Sequence, residues 1–124
     1  MIFQYTWQAV LNGQKTTTRR PRKPNEEAVT GPDGRIEAVV HGGRTKWQVG
    51  KTYAVQPGRN EPQIARIRVT GIRAERAGDI SDEDARAEGE ASREAFLELW
   101  QRIHGADTLD LPVWVVEFEL VEVG

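Results

Sequence analysis

The chain has 124 residues, 38% of them hydrophobic and 29% charged, with no cysteine and a formal net charge of −2. A chain of this length buries roughly two-thirds of its unfolded surface on folding, so it needs neither disulfides nor a structural metal, and the lack of cysteine excludes thiol chemistry. No apolar run approaches the roughly 18 residues of a membrane span, and Met1-Ile2-Phe3-Gln4 does not begin a secretory leader. One soluble domain over residues 1–124, located in the cytoplasm, is therefore expected. With only His41 and His104 as imidazoles, a zinc site would have to lean on carboxylates; no metal and no cofactor are expected, and both histidines read as incidental.

The even net charge hides a division. Residues 1–76 carry 14 Lys/Arg against 6 Asp/Glu, and residues 77–124 carry 3 against 13. Lysine and arginine clusters supply most sequence-independent affinity for nucleic acid, so the first part is a candidate phosphate-facing surface. Mutual attraction of the two parts inside one fold explains the division equally well.

Phe3, Trp7, Val10 and Leu11 recur at helical spacing, and Gly13 follows as a stop. Thr16-Thr17-Thr18 favours extended backbone. Residues 21–45 show little periodicity and many prolines, glycines and bases, which predicts a long basic loop, the most mobile part of the chain, lying beside a cleft. Within it Gly31-Pro32-Asp33-Gly34 signals a turn, with a short strand beside it at Arg35–Val40. Strands are expected at Thr52–Gln56 and Ile64–Ile72 around the turn Pro57-Gly58-Arg59-Asn60. Ser81 and Asp84 resemble a capping box for a helix reaching Glu88. Ser92 caps a second helix with the apolar stripe Phe96, Leu99, Trp100 and Ile103, ended by Gly105. Val113–Val123 alternates as a half-buried strand. Trp7, Trp100 and Trp114 fit apolar faces, whereas Trp47 adjoins the basic stretch and suits either packing or base stacking.

The segment richest in chemistry is Asn12-Gly13-Gln14-Lys15-Thr16-Thr17-Thr18-Arg19-Arg20. It places an ammonium, a hydroxyl and guanidinium groups where a helix gives way to a strand. In a regular strand Lys15 and Thr18 would face opposite sides, so their cooperation requires a bend. The sequence here resembles the ASCH domain family, a branch of the PUA-like folds. The likeness rests on Gly13-x-Lys15-Thr16-x-Thr18-x-Arg20, on Val49-Gly50-Lys51 and on Ile80-Ser81-Asp82-Glu83-Asp84-Ala85-Arg86-Ala87-Glu88-Gly89. It closes with Val113-Trp114-Val115-Val116-Glu117-Phe118, and the ordered set spans nearly the whole chain.

The resemblance implies an α+β fold, a small PUA-like β-barrel of about five or six strands with flanking helices. It also implies RNA or a modified nucleoside as partner. One compact bacterial branch of the family hydrolyses the acetyl amide of N(4)-acetylcytidine with a lysine, a threonine and a glutamate, which fall by motif position on Lys15, Thr18 and Glu88. A buried lysine can accept a proton from the threonine hydroxyl, and Glu88 can orient the lysine or protonate the leaving amine. Arg19, Arg20, Arg22, Lys23 and Trp47 are the candidate ligand-binding residues. Two features depart from that branch: the segment between Arg20 and Trp47 is much longer, and Arg19 stands at a usually aliphatic position. The competing expectation is a non-catalytic RNA-binding module, or a ribonuclease, using the same basic cleft.

Overall fold

The computed structural model describes residues 1–124. Along the chain it forms α1 (Trp7–Leu11), β1 (Thr17–Pro21), β2 (Glu26–Thr30), β3 (Ile36–His41), β4 (Arg44–Gln48), β5 (Thr52–Val55) and β6 (Ala65–Arg76). A 3-10 turn at Ala77–Asp79, α2 (Asp82–Ala87), α3 (Arg93–His104) and β7 (Pro112–Val123) complete it. The strands make one antiparallel sheet in the order β1-β7-β6-β3-β2, with β4 paired to β3 and β5 to β6. This is the expected α+β, PUA-like, barrel-type architecture with flanking helices, built from seven strands, and the sheet does not close on itself. No helix is long and apolar enough to cross a membrane.

The frame is the pairing of the two long strands, β6 and β7, along most of their length. Alternation sends Val113 and Val115 of β7 to one face, where they pack with Ala77, Ile80, Phe96 and Trp100 beneath α2 and α3. Trp114 and Val116 face the other way and pack with Val39, Trp47, Val69 and Ile72. A third cluster, under α1, joins Phe3 and Val10 to Val55, Ile67 and Phe118. Being covered on both faces explains why Val113 to Val116 are all buried where simple alternation predicted a half-buried strand.

The stretch over 21–45 departs from expectation. It is not a long loop: β2 and β3 lie within it and β4 begins at its end, all paired into the sheet. The polar, glycine-rich composition reflects exposure rather than lack of structure. In β2 only Glu26 is buried, and in β4 only Trp47, so neither strand carries an apolar face to read. The first helix is also shorter than the spacing predicted. Phe3 precedes it, with its carbonyl accepting from the Thr6 and Trp7 amides.

Candidate functional site

The corner after α1 is built by two glycines. Gly13 takes φ +82° and lets the chain leave the helix at once, while Gly89 takes φ +93° just after α2. A Cβ on Gly89 would lie 3.2 Å from Ala9 Cβ, so this position lets α1 and the end of α2 approach closely. Lys15 and Glu88 then meet as an antiparallel bridge pair, with the Thr16 amide donating to Ala87 O at 2.6 Å.

Their side chains complete the contact. Lys15 Nζ donates to Glu88 Oε2 at 2.6 Å and to Glu88 O at 3.1 Å, with the residues only 6% and 3% exposed. Burial pushes the Glu88 carboxyl above its ordinary value, and the charges of Lys15, Arg19 and Arg20 pull against that shift without reversing it. Glu88 Oε1 is buried without a hydrogen-bond partner on the protein.

Register decides where β1 aims its side chains. Thr18 stands opposite Val116 and Arg20 opposite Trp114, so both share the face of those two residues. Arg20 Nε donates to Thr18 Oγ at 3.1 Å, its Nη2 donates to Ile2 O at 2.8 Å, and its guanidinium lies 5.2 Å from the Phe3 ring. Burial lowers the Arg20 pKa, and the nearby Glu88 charge acts in the other sense. Thr18 and Arg20 border a cleft of about 330 Å³ whose walls include Ile2 and Phe3 on one side and Ile103 and His104 from the end of α3 on the other. Ile103, assigned by periodicity to the apolar stripe of α3, is 46% exposed at this wall. His104 packs against Trp100 with the rings tilted by 39° and their centroids 4.0 Å apart, and burial lowers its pKa.

The structure joins these residues in two separate contacts, Lys15 with Glu88 and Arg20 with Thr18. No hydrogen bond joins Lys15 to Thr18, and neither Lys15 nor Glu88 lines the cleft.

Two expected ligand-binding residues are placed otherwise. Arg19 follows Thr18 on the strand and so faces away, opposite Val115 and toward α2. Its fully buried side chain contacts Glu75 and lies 3.8 Å from Asp84. Arg73 extends this ion cluster by bonding Glu75, Asp84 and Glu117, and those carboxylates raise its pKa against the effect of burial. Trp47 is 5% exposed in the core and presents no free ring face; Lys46 Nζ lies 4.5 Å from its centroid.

Arg22 and Lys23 are exposed beyond the end of β1. Beside them sits a residue that sequence reasoning did not single out. Glu26 is 1% exposed and accepts from the Lys23 amide at 2.8 Å, Trp114 Nε1 at 3.1 Å and Lys46 Nζ at 2.5 Å. Burial raises its pKa, but these donors together hold it below the usual carboxylate range. No periodic signal could have marked it, because the one buried position of β2 is charged. No group of three or more His, Asp or Glu is placed to hold a metal ion.

No family model matches the sequence, and no curated protein does. Solved structures that resemble the fold include the following two. A protein of the DUF984 family model from Enterococcus faecalis V583 aligns at TM-score 0.64 and 19% identity, covering 95% of this chain and 71% of its own. The ASCH domain from Lactobacillus crispatus JV V101 aligns at TM-score 0.58 and 17% identity, covering 94% and 70%. Through both its sheet topology and these alignments, the chain has the fold of an ASCH domain.

Proposed function

We propose that the cleft beside β1 binds a nucleoside and that Thr18, Lys15 and Glu88 hydrolyse an acyl amide on it, of the N(4)-acetylcytidine type. The observation that carries this is the buried Lys15–Glu88 ion pair, its lysine three residues from Thr18, which lines the cleft. Buried ion pairs are seldom the most stable occupants of a core, and perturbed ionisable groups beside a cleft mark chemistry. Burial raises the Glu88 carboxyl above its ordinary value, so Glu88 can take a proton from Lys15 during the reaction, and the amine so formed accepts the Thr18 proton.

The chemistry follows from those groups. Thr18 Oγ attacks the acyl carbon while Lys15 takes its proton, through a water or a small rotation of its side chain. The C=O electrons move onto the acyl oxygen as the Oγ–C bond forms, and Arg20 Nε, already donating to Thr18 Oγ, orients that hydroxyl for the attack. As the C–N bond breaks, the leaving nitrogen takes the proton from Lys15, and the acyl group is left as a Thr18 ester. Water then hydrolyses the ester, releasing the carboxylic acid and restoring the hydroxyl.

The missing hydrogen bond between Lys15 and Thr18 favours a second reading, in which the cleft binds RNA or a nucleoside without chemistry. Thr18→Val separates the two, because it keeps the β-branched shape and removes only the oxygen. Turnover of acetylcytidine by the wild type, followed chromatographically, should fall at least about a thousandfold in the variant. A wild type that binds but never turns over, with the variant losing only about 0.5–1.5 kcal/mol of affinity, would establish the binding reading instead.

A further inference from the structure

Around the buried carboxylate of Glu26 the chain assembles a corner of cations. Arg22 leaves β1 directly after Pro21, which borders the cleft. Its guanidinium lies 4.7 Å from the Trp114 ring centroid, and it donates to Glu26 O from Nε and Nη2 at 3.3 and 3.2 Å. Lys46 covers the neighbouring Trp47 and reaches Glu26 Oε2. The turn between β3 and β4 is drawn to the same place, since the Gly42 amide donates to Asn25 O and the register sets Glu26 opposite His41 and His41 opposite Arg44. Lys23 and Arg44 are exposed, and neither has a carboxylate within 4 Å.

Arg22, Lys46 and the Lys23 amide thus contact Glu26, whose charge Lys46 already engages, and Arg44 stands in register with it one strand beyond His41. The exposed Glu27 next in β2 makes no ion pair with any of them. Packing on two buried indoles and bonding to Glu26 fix Arg22 and Lys46 in place, so an anion meeting them does so with little further ordering cost. The corner starts where the cleft ends. Three residue steps of extended chain, on the order of 10 Å, lead from Arg20 in the cleft to Lys23.

We propose that this corner is a phosphate site, and that the cleft takes its nucleoside as one unit of a single-stranded nucleic acid whose backbone runs over Arg22, Lys23, Arg44 and Lys46. This rests on the nucleoside reading of the cleft and adds what is attached to the nucleoside. A single strand fits because a paired base cannot turn its edge into a cleft without leaving its stack. The same phosphate could belong to a free nucleotide, to RNA or to DNA, so the ligands are chosen to separate these.

The test compares wild type with Lys23→Gln/Arg44→Gln, two exposed side chains with no ion-pair partner to lose. Binding is measured by fluorescence anisotropy and calorimetry for a cytidine nucleoside, its monophosphate, and single-stranded ribo- and deoxyribo-hexamers containing that base. The hexamers should bind wild type on the order of tenfold more tightly than the nucleoside in about 0.1 M salt, with affinity falling steeply as salt rises. The double variant should lose most of that gain, and its slope of log affinity against log salt should shrink by roughly 0.7 per cation removed. Nucleoside affinity should stay within twofold, and Lys23→Arg/Arg44→Lys should restore hexamer binding. Hexamer affinity and slope unchanged in the double variant would overturn the phosphate site while leaving the nucleoside reading standing. A monophosphate bound as tightly as the hexamers, with the same dependence on Lys23 and Arg44, would overturn the strand. Nucleoside and hexamers both failing to bind wild type would remove the cleft reading and this inference together. Preference for the ribo- over the deoxyribo-hexamer would assign the strand to RNA.

Discussion

Lys15 and Glu88, 73 residues apart in the chain, are each almost wholly withdrawn from water. Removing two ions from water costs several kcal/mol apiece, and their attraction offsets that only with good geometry and further hydrogen bonds. Lys15 has a second acceptor in Glu88 O, but Glu88 Oε1 has none on the protein, so the pair is incompletely satisfied. Glu88→Gln should therefore destabilise the fold by about 3–5 kcal/mol, since it leaves a buried ammonium without its counter-charge. Lys15→Met combined with Glu88→Leu removes both charges, and should recover most of that loss or exceed wild type by about 1–4 kcal/mol. Urea unfolding of the three proteins measures this, and a double variant as unstable as the single one would make the pair a structural requirement. At this scale the sequence was informative about types and poor about directions. The ordered motif named Lys15, Thr18, Arg20 and Glu88, of which Lys15 contacts Glu88 and Arg20 contacts Thr18. The run Arg19-Arg20 could not show that its two guanidinium groups leave opposite faces of β1, because that depends on which positions pair with β7.

Among the elements, α2 has the least of its own to hold it. It spans six residues, fewer than an isolated helix needs, and buries only Ala85. Ser81 Oγ accepts from the Asp84 amide at 3.0 Å, and the Asp84 carboxylate contacts Arg73 and lies within 4 Å of Arg19. The cap satisfies one of the free amides of the first turn, so Ser81→Ala should cost roughly 1 kcal/mol, seen as a fall in Tm of about 4 °C. A change within about 1 °C would mean that the ion contacts alone hold the helix. Elements with an apolar rhythm and explicit end signals were legible: α2 and α3 behind their serine caps, β6, β7, and β3 to within a residue. β2 and β4 were not, because Glu-Glu-Ala-Val-Thr and Arg-Thr-Lys-Trp-Gln each bury one side chain and expose the rest. Their strand character comes from β3 lying between them and from Glu26, whose partners lie as far away as Trp114.

Over the whole molecule, both explanations of the charge division hold, for different residues. Lys15, Arg19, Arg68 and Arg73 of the basic part lie within ion-pair distance of Glu88, Asp84, Glu119 and Glu117 of the acidic part. Arg22, Lys23 and Arg44, at the corner, have no such partner, and neither do Lys51, Arg59, Arg66 and Arg76 elsewhere in the basic part, although the net charge is −2. That corner belongs to a part of the sheet attached in an unusual way. Between β3 and β6 the register contains the single pair Ile36 and Ile72, whereas β6 pairs with β7 over most of its length. Side chains such as Val39 and Trp47 close the seam, with few backbone hydrogen bonds across it. The strands β2, β3 and β4 satisfy one another, so they can part from β6 as a unit while β1, β7 and β6 stay paired. In native-state hydrogen exchange, the amides of β2 to β4 should share one opening free energy lower than that of β6 and β7. If they exchange only through global unfolding, the seam is not a line of weakness. Because Glu26 and Trp114 sit on opposite sides of it, opening would also dismantle the cation corner. A nucleic acid strand bound there should therefore slow exchange in β2 to β4 selectively, making the ligand a clasp across the one place where the sheet can part.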